Sequence, residues 1–192
     1  MYKLILNLSE PIAAASIAQV HKATVKETKE LVAVKILRPD VEKVFLKDLA
    51  ALLFLAKFIE FIIPSFRRLK PTEVVNHFER LVREELDLRM EISAAAEFAE
   101  NTKSDRNFYV PKVIWSLSGK RVITTEWVDG MSVGDIERIK NSGVNIESFA
   151  KRIVKTFLTQ ALRDGFIHGD MHQGNLKCRS DGTLIVMDFG IM

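Results

Sequence analysis

The sequence has little of what marks several classes of protein. Among its 192 residues is a single cysteine, Cys178, which excludes an internal disulfide framework and is typical of a reducing compartment. The formal net charge is only +3, from 28 lysines and arginines against 25 aspartates and glutamates, which argues against a nucleic-acid partner. Residues 1–6 lack the apolar length and cleavage site of a signal peptide. These absences predict a cytoplasmic protein.

Long uninterrupted apolar runs are also missing. Residues 44–63 are apolar but carry charges, and their longest uncharged run, 49–56, is far short of the roughly 18 residues of a spanning helix. The stretch instead predicts an amphipathic helix ended by Pro64, with a basic connector at 67–70. We favour packing of this helix against the one that follows, and contact with a lipid interface is the alternative.

The last quarter of the chain carries the strongest pattern. Residues 168–175 are His-Gly-Asp-Met-His-Gln-Gly-Asn, and 13 residues after Asn175 comes Asp188, in an Asp-Phe-Gly triplet. The two spacings together are typical of kinase-type phosphoryl transfer. In that pattern Asp170 would accept or orient the proton of the attacking oxygen. Asn175 and Asp188 would supply the oxygen ligands that Mg²⁺ bound to ATP prefers. Two short strands, 176–178 and 184–187, are predicted to present them.

A kinase-type site also demands a phosphate-covering loop and a strand lysine upstream. Residues 13–20 fit the glycine-rich pattern G-x-G-x-x-G-x-V with alanine at every glycine position. Lys35 follows 15 residues after Val20, at the end of a Val-Ala-Val-Lys run, and is predicted to project from a strand towards the phosphates. The expected nucleotide contacts in the loop are Ala13, Ala14, Ala15 and Ser16. Because alanine restricts the backbone more than glycine does, this loop should be stiffer, and nucleotide preference could change with it.

The combination resembles the UbiB/AarF family of atypical kinases, whose hallmarks are an Ala-rich loop, an E-x-D-x-x-x-E segment and H-x-D-x-H-x-G-N. Here the second hallmark corresponds to Glu85, Asp87 and Glu91, within a predicted helical stretch of about 72–103. The resemblance implies that Glu91 pairs with Lys35 and that Glu85 and Asp87 form a second acidic site near the nucleotide. For Glu85, a salt-bridged exposed helix face is an equal alternative.

Residues 113–117 and 121–127 predict a hairpin around the turn at 118–120. By the kinase resemblance, Glu126, Trp127 and Val128 form the hinge whose backbone would bind adenine, with ordinary packing as the alternative for Trp127. A further helix is predicted over residues 146–163.

The sequence therefore predicts an α+β, protein-kinase-like two-lobed fold. Residues 1–128 would form the small lobe, with a helical insertion at about 40–103. Residues 129–192 would form only the start of the large lobe, with the catalytic loop and Asp-Phe-Gly. The family's N-terminal extension with its K-x-G-Q motif is missing and the chain stops two residues after Gly190, so we expect a truncated member.

The resemblance implies an atypical kinase or ATPase that binds ATP and Mg²⁺ and supports isoprenoid-quinone (ubiquinone) biosynthesis. The implied partners are an isoprenoid-quinone precursor or membrane lipid and quinone-biosynthesis proteins, with a location peripheral to a membrane. One alternative is a small-molecule kinase of the aminoglycoside or choline type, against which the alanine loop and the Glu85-x-Asp87 pair argue. The other is a non-catalytic, nucleotide-gated scaffold for lipids or partners.

Overall fold

The computed structural model describes residues 4–14 and 17–192. Lys35 lies in an inner strand of its first sheet. Four antiparallel strands lie in the order β1 (Ile5–Ala14), β2 (Ala18–Val25), β3 (Leu31–Leu37) and β5 (Val122–Glu126). Side chains alternate along β3, as the pleat of a strand requires. Val32 and Val34 are fully buried on one face, whereas Ala33 and Lys35 lie on the other. The strand predicted for Lys35 is therefore confirmed.

Three helices follow β3 along the chain. They are α1 (Val41–Ile62), α2 (Pro71–Glu85) and α3 (Leu88–Asn101), and a 3₁₀ helix joins the first two. The helical stretch predicted over about 72–103 is confirmed in extent, but it is divided into two helices, because the helical backbone is interrupted between α2 and α3. Asp87 has an extended backbone there, and its carboxylate accepts a hydrogen bond from the Arg89 amide at 3.2 Å. This side chain caps α3 instead of continuing α2.

The apolar helix predicted before Pro64 is present as α1, and its first half packs as expected. Leu49 is buried against Val82 and Leu86 of the α2 region. In the second half Ala56 is also buried, at 5% exposed, but Phe54 is 73% exposed and Phe61 is 78% exposed. No helix formed by residues 4–14 and 17–192 has the length and apolar character needed to cross a bilayer.

The second sheet holds the C-terminal motifs. Its order is β4 (Phe108–Tyr109), β8 (Leu184–Val186), β7 (Leu176–Cys178) and β6 (Met131–Ser132), and β7 and β8 form the predicted antiparallel pair. Between β6 and β7 lie α4 (Ile136–Asn141) and α5 (Ile146–Arg163). The helix predicted over 146–163 is confirmed, as is the mixed α+β character of the chain. The division into lobes at residue 128 stays a prediction.

The hairpin predicted over residues 113–127 forms only in part. Val113 pairs with Thr125 and Gly119 with Val122 in antiparallel bridges, but residues 113–117 do not form a second strand. Only Val122–Glu126 forms a strand, paired with β3, and Trp115–Leu117 forms a 3₁₀ turn. The hydroxyl groups of Ser118 and Thr124 explain the difference. Ser118 Oγ donates to the Ile114 carbonyl at 2.9 Å, and Thr124 Oγ1 donates to the Leu117 carbonyl at 2.9 Å. These side chains satisfy backbone groups that a second strand would have paired.

Helix α5, which leads into the catalytic loop, depends on a side-chain cap. Asn145 Oδ1 accepts a hydrogen bond from the Ser148 amide at 2.8 Å. We expect Asn145→Ala to lower the free energy of unfolding by about 1 kcal/mol, measured by urea denaturation, because it leaves that amide without its acceptor. Asn145→Asp keeps an acceptor at the same position and should cost little. A similar loss in both variants would contradict the capping role.

Candidate functional site

A cavity of about 370 Å³ lies between the two sheets, and most of the predicted site residues line it. One part is apolar and is contributed mainly by the first sheet. The opposite part contains the charged and polar groups Lys35, Glu91, Asp188 and Asn175. The apolar part is lined by Ile12, Ala13, Val20, Ala33, Ile123 and Val128.

Lys35 is the centre of the charged part. Its Nζ lies 2.9 Å from both carboxylate oxygens of Glu91, across 56 positions of sequence, so the predicted ion pair is present. The same Nζ lies 3.0 Å from Asp188 Oδ2. The Lys35 and Glu91 side chains are only 16% and 11% exposed. One ammonium group therefore joins β3, α3 and the Asp-Phe-Gly segment.

Burial and charge act against each other in this triad. Burial raises the pKa of Glu91 to about 7, and the neighbouring Lys35 opposes that shift. Burial also works against the charge on Lys35, but Glu91 and Asp188 together raise the pKa of that lysine. For Asp188, burial is outweighed by Lys35, which holds the pKa of this carboxyl below its usual range. The lysine therefore remains charged, and Glu91 is the group closest to neutrality.

The catalytic-loop motif is held together by its own polar groups. Asn175 Nδ2 donates to the Asp170 carbonyl at 3.0 Å and to Asp170 Oδ2 at 3.2 Å. Asn175 lines the cavity, whereas Asp170 lies beside it with a side chain that is 43% exposed. Because the amide nitrogen is engaged, the amide oxygen of Asn175 is the atom left for a ligand.

The His172 side chain orders the same loop. Its Nδ1 accepts a hydrogen bond from the Gly174 amide at 2.9 Å, and its Nε2 lies 3.5 Å from Asp170 Oδ2. The His172 ring therefore fixes the turn that leads to Asn175 and approaches the carboxylate expected to act in catalysis.

Two further motif residues, His168 and Phe189, have structural roles that the sequence patterns do not predict. His168 is 1% exposed, and its Nδ1 accepts from the Asp170 amide at 3.2 Å. That bond leaves Nε2 as the donor to the Asp188 carbonyl, at 2.5 Å. Phe189 packs against both His168 and Phe98 of α3, with ring centroids 5.4 Å apart in each pair. This contact couples the catalytic loop to the helix that carries Glu91, and no local sequence pattern could have revealed it.

Asp188 has an uncommon backbone conformation. Its φ is 61°, a left-handed value that is energetically unfavourable for a residue with a Cβ. Such conformations persist where the surroundings hold them and are frequent at functional sites. Here a side-chain contact with Lys35 and a backbone contact with His168 hold the residue in place.

The predicted hinge, residues 126–128, runs along the cavity. The Glu126 carboxylate is already engaged, since Oε1 accepts from the Lys112 amide at 2.9 Å and from the Tyr109 hydroxyl. The Trp127 amide donates to the Leu31 carbonyl at 3.0 Å. The Val128 amide, by contrast, has no hydrogen-bond partner among the residues that the structure describes. Val128 therefore has a backbone donor left for a ligand.

The alanine-rich segment is only partly as expected. Ala13 lines the cavity, whereas Ala14 does not, and both belong to β1. Ala15 and Ser16 lie outside the described residues, so their contacts stay a prediction. Ala18 is fully buried in the cluster that contains Leu37 and Ile92. Its methyl group fills space in that cluster.

Glu85 and Asp87 do not line the cavity, contrary to the acidic site implied near the nucleotide. Glu85 is the last residue of α2 and is exposed. Asp87 accepts from Arg89 Nε at 2.8 Å and from Nη2 at 2.6 Å, and this pairing lowers the pKa of the carboxyl to about 2. The structure thus favours the exposed-face alternative for Glu85 and a capping role for Asp87.

Comparisons with known proteins give a consistent result. A family model described as "ABC1 atypical kinase-like domain" matches residues 7–192. "Probable protein kinase UbiB" of Aliivibrio fischeri (strain MJ11) is 40% identical over 187 residues, which is 95% of this chain and 34% of the relative. The protein of the same name from Vibrio atlanticus (strain LGP32) is 41% identical over 167 residues, 87% of this chain and 31% of the relative. The chain thus spans about a third of the length of these curated relatives.

Among solved structures, the crystal structure of Rad53 1–466 in complex with AMP-PNP aligns with 98% of this chain and 38% of that chain. The TM-score is 0.46 and the sequence identity is 14%. The family match, together with the sheets and helices described above, confirms the predicted α+β protein-kinase-like fold.

Proposed function

The chain belongs to the ABC1 atypical kinase-like domain family, and on that premise we propose that it binds ATP with Mg²⁺ in the cavity and acts as a phosphotransferase or ATPase. The predicted resemblance to the UbiB/AarF family is confirmed by the relatives, and an atypical kinase is the class that they support.

The observation that carries the proposal is the position of Lys35. Its ammonium contacts Glu91 and Asp188 at one part of the cavity, beside the loop that joins Asp170 to Asn175. A lysine held by a helix glutamate next to an Asp-Phe-Gly aspartate is the arrangement that positions ATP phosphates in kinases. The apolar remainder of the cavity suits a purine, because the largest part of a nucleotide's uncharged surface is its base.

The donor set also fits the metal. Asn175 and Asp188 supply an amide oxygen and a carboxylate, the hard ligands that Mg²⁺ accepts when phosphates complete its shell. Within residues 4–14 and 17–192, no group of three or more histidine, cysteine, aspartate or glutamate side chains is placed to hold a metal ion. A site of two protein ligands is consistent with a metal that arrives with its nucleotide. When bound, Mg²⁺ would neutralise charge on the transferred phosphate.

Each residue of the site then has a separate role in nucleotide binding or phosphoryl transfer. Lys35 positions phosphate oxygens, and Glu91 fixes the lysine's orientation from α3. Asp170 receives or orients the proton of the attacking hydroxyl or water at its carboxylate, which Asn175 and His172 hold in place. The Val128 amide is the backbone donor for the base.

The biological role is a finer proposal. The relatives' printed name, probable protein kinase UbiB, and the sequence hallmarks support a role in isoprenoid-quinone (ubiquinone) biosynthesis. An isoprenoid-quinone precursor, a membrane lipid or a quinone-biosynthesis protein would then be the partner, at a membrane surface. Deleting the gene should lower cellular quinone, and re-expression of an Asp188→Asn variant should not restore it. Restoration by that variant would contradict a role for nucleotide chemistry.

Calorimetry with and without Mg²⁺ tests the site itself. We expect Asp188→Asn and Asn175→Ala to weaken ATP binding in Mg²⁺ by at least about 10-fold, because even the loss of a group that only supports a metal ligand typically costs roughly 10- to 100-fold. Binding without the metal should change much less, because each variant removes a ligand of the ion. Asp48→Asn, an exposed replacement on α1, is the matched control and should bind as the parent does. Equal losses in both conditions would mean that Asn175 and Asp188 support the fold and not a metal.

A further inference from the structure

Lys177 occupies a position in the cavity that no motif accounts for. It is the central residue of β7, and its neighbours Leu176 and Cys178 are 4% and 0% exposed in the core. Because side chains alternate along a strand, Lys177 extends from the opposite face, where it lines the cavity.

The Lys177 ammonium is poorly compensated for its burial. It is half-buried, and Nζ makes one long hydrogen bond, 3.4 Å, to the Val128 carbonyl. Among the described residues no carboxylate lies within ion-pair distance of it. Nζ also lies 5.4 Å from the centroid of the Trp127 ring. Burial lowers the pKa of Lys177, although Asp129 opposes that shift. A half-buried cation that gains so little from the protein is poised to gain more from a ligand.

The location of Lys177 indicates which part of a ligand it meets. The phosphates are expected beside Lys35 and Asp188, whereas Lys177 lies beside the hinge, residues 126–128. Two donors are therefore available at the hinge end of the cavity, the Lys177 ammonium and the Val128 amide, which has no partner among the described residues. The Val128 carbonyl, which could otherwise accept from a base, already accepts from Lys177.

Building on the proposed nucleotide binding, we propose that Lys177 is a specificity-determining residue that favours adenine over guanine. A base that turns its edge from N1 to N3 towards these two donors presents two ring-nitrogen acceptors when it is adenine, whereas guanine presents an N–H at N1 and its 2-amino donor there. The Lys177 ammonium and the Val128 amide complement the acceptors of adenine, whereas they would face the donors of guanine. Discrimination of this kind is strong when an unmatched polar group would be left buried.

Calorimetric titration of three probes tests this assignment: adenosine, guanosine and inorganic triphosphate. Lys177→Met keeps the length of the side chain and removes its donor, so adenosine affinity should fall about tenfold, the value of a hydrogen bond to a charged group. Guanosine should bind as before or more tightly, and triphosphate should not change. Lys177→Arg should retain most of the adenosine preference. Lys22→Met is the charge-matched control, because Lys22 lies 4.5 Å from the Trp127 ring centroid but does not line the cavity.

Each outcome separates the assignment from the function on which it rests. Unchanged adenosine and guanosine affinities in a Lys177→Met variant that melts like the parent would overturn the assignment alone. A loss confined to triphosphate and ATP would also overturn it, since Lys177 would then act on phosphates. A parent chain that binds neither adenosine nor ATP would overturn the proposed function as well.

Discussion

Replacing Lys35 with methionine is expected to lower the free energy of unfolding by about 3–5 kcal/mol, the range for breaking a buried ion pair from one side. The physical reason is the arrangement of two carboxylates around one ammonium. Without Lys35, Glu91 would be left 11% exposed and without its partner, close to Asp188. The loss should be measured by urea denaturation at pH 8. At that pH the native state must either keep the Glu91 and Asp188 carboxylates ionised side by side or take up a proton.

The same variant should make stability more dependent on pH. Burial already raises the pKa of Glu91 to about 7, and Lys35 is what holds it from rising further. The native state of Lys35→Met should therefore bind more protons than the unfolded state above the unfolded pKa of glutamate, ~4.3. Stability then falls as the pH rises through this window, and the fall should be steeper than in the parent.

Two variants control for other effects of losing the lysine. Lys35→Met/Glu91→Gln removes the group that titrates, so its stability should vary less between pH 5 and pH 8 than that of the single variant. Lys57→Met removes an exposed lysine from α1 and should cost little. A pH profile of Lys35→Met parallel to that of the parent would argue that Glu91 does not depend on Lys35 for its charge.

The parts of the fold that the sequence predicts best are those set by local pattern. The β-branched run before Lys35 favours a strand, and Asp-Gly at 181–182 marks the turn between β7 and β8. The helix over Ile146–Arg163 follows from its apolar periodicity. In each case the tertiary structure and the local preference agree, so no outside information is needed.

The errors arise where one polar side chain competes with a regular element. Asp87 sits in a segment of strong helix formers, and its carboxylate caps the next helix instead of facing solvent within a single long one. Ser118 and Thr124 likewise take backbone groups that a regular second strand of the hairpin would have paired. Such a choice depends on the geometry of neighbouring chain segments, which periodicity does not describe.

In the candidate site, too, contacts between residues distant in sequence could not be predicted from local pattern. The motif spacings bring Asp170, Asn175 and Asp188 together because they lie on one loop and one hairpin. The choice of Glu91 for Lys35 rests on the family resemblance alone, because 56 positions of sequence separate the two residues. Lys177 belongs to no motif, and only the alternation of β7 against a buried core turns it towards the cavity.

Asp170→Asn should separate nucleotide binding from chemistry. We expect phosphate release from ATP to fall by about 10²–10⁴-fold, the usual contribution of a general base. ATP affinity should be nearly unchanged, because Asp170 does not line the cavity. Asparagine keeps a side-chain oxygen that can accept from Asn175 Nδ2, so the loop should retain its shape while losing the carboxylate that receives the proton.

The comparison needs the exposed replacement Asp48→Asn as its control, with turnover and ATP affinity measured on all three proteins under the same conditions. A selective loss of turnover in Asp170→Asn supports the assignment, because a change of fold would lower affinity as well. Equal turnover by parent and variant, or no turnover by the parent, would favour a nucleotide-gated scaffold.

The parent should also transfer little phosphate to generic peptides, because alanines replace glycine throughout the phosphate-covering segment and restrict its backbone. Robust phosphorylation of ordinary peptides would instead indicate a conventional protein kinase, whose acceptor lies close to the Asp170 carboxylate.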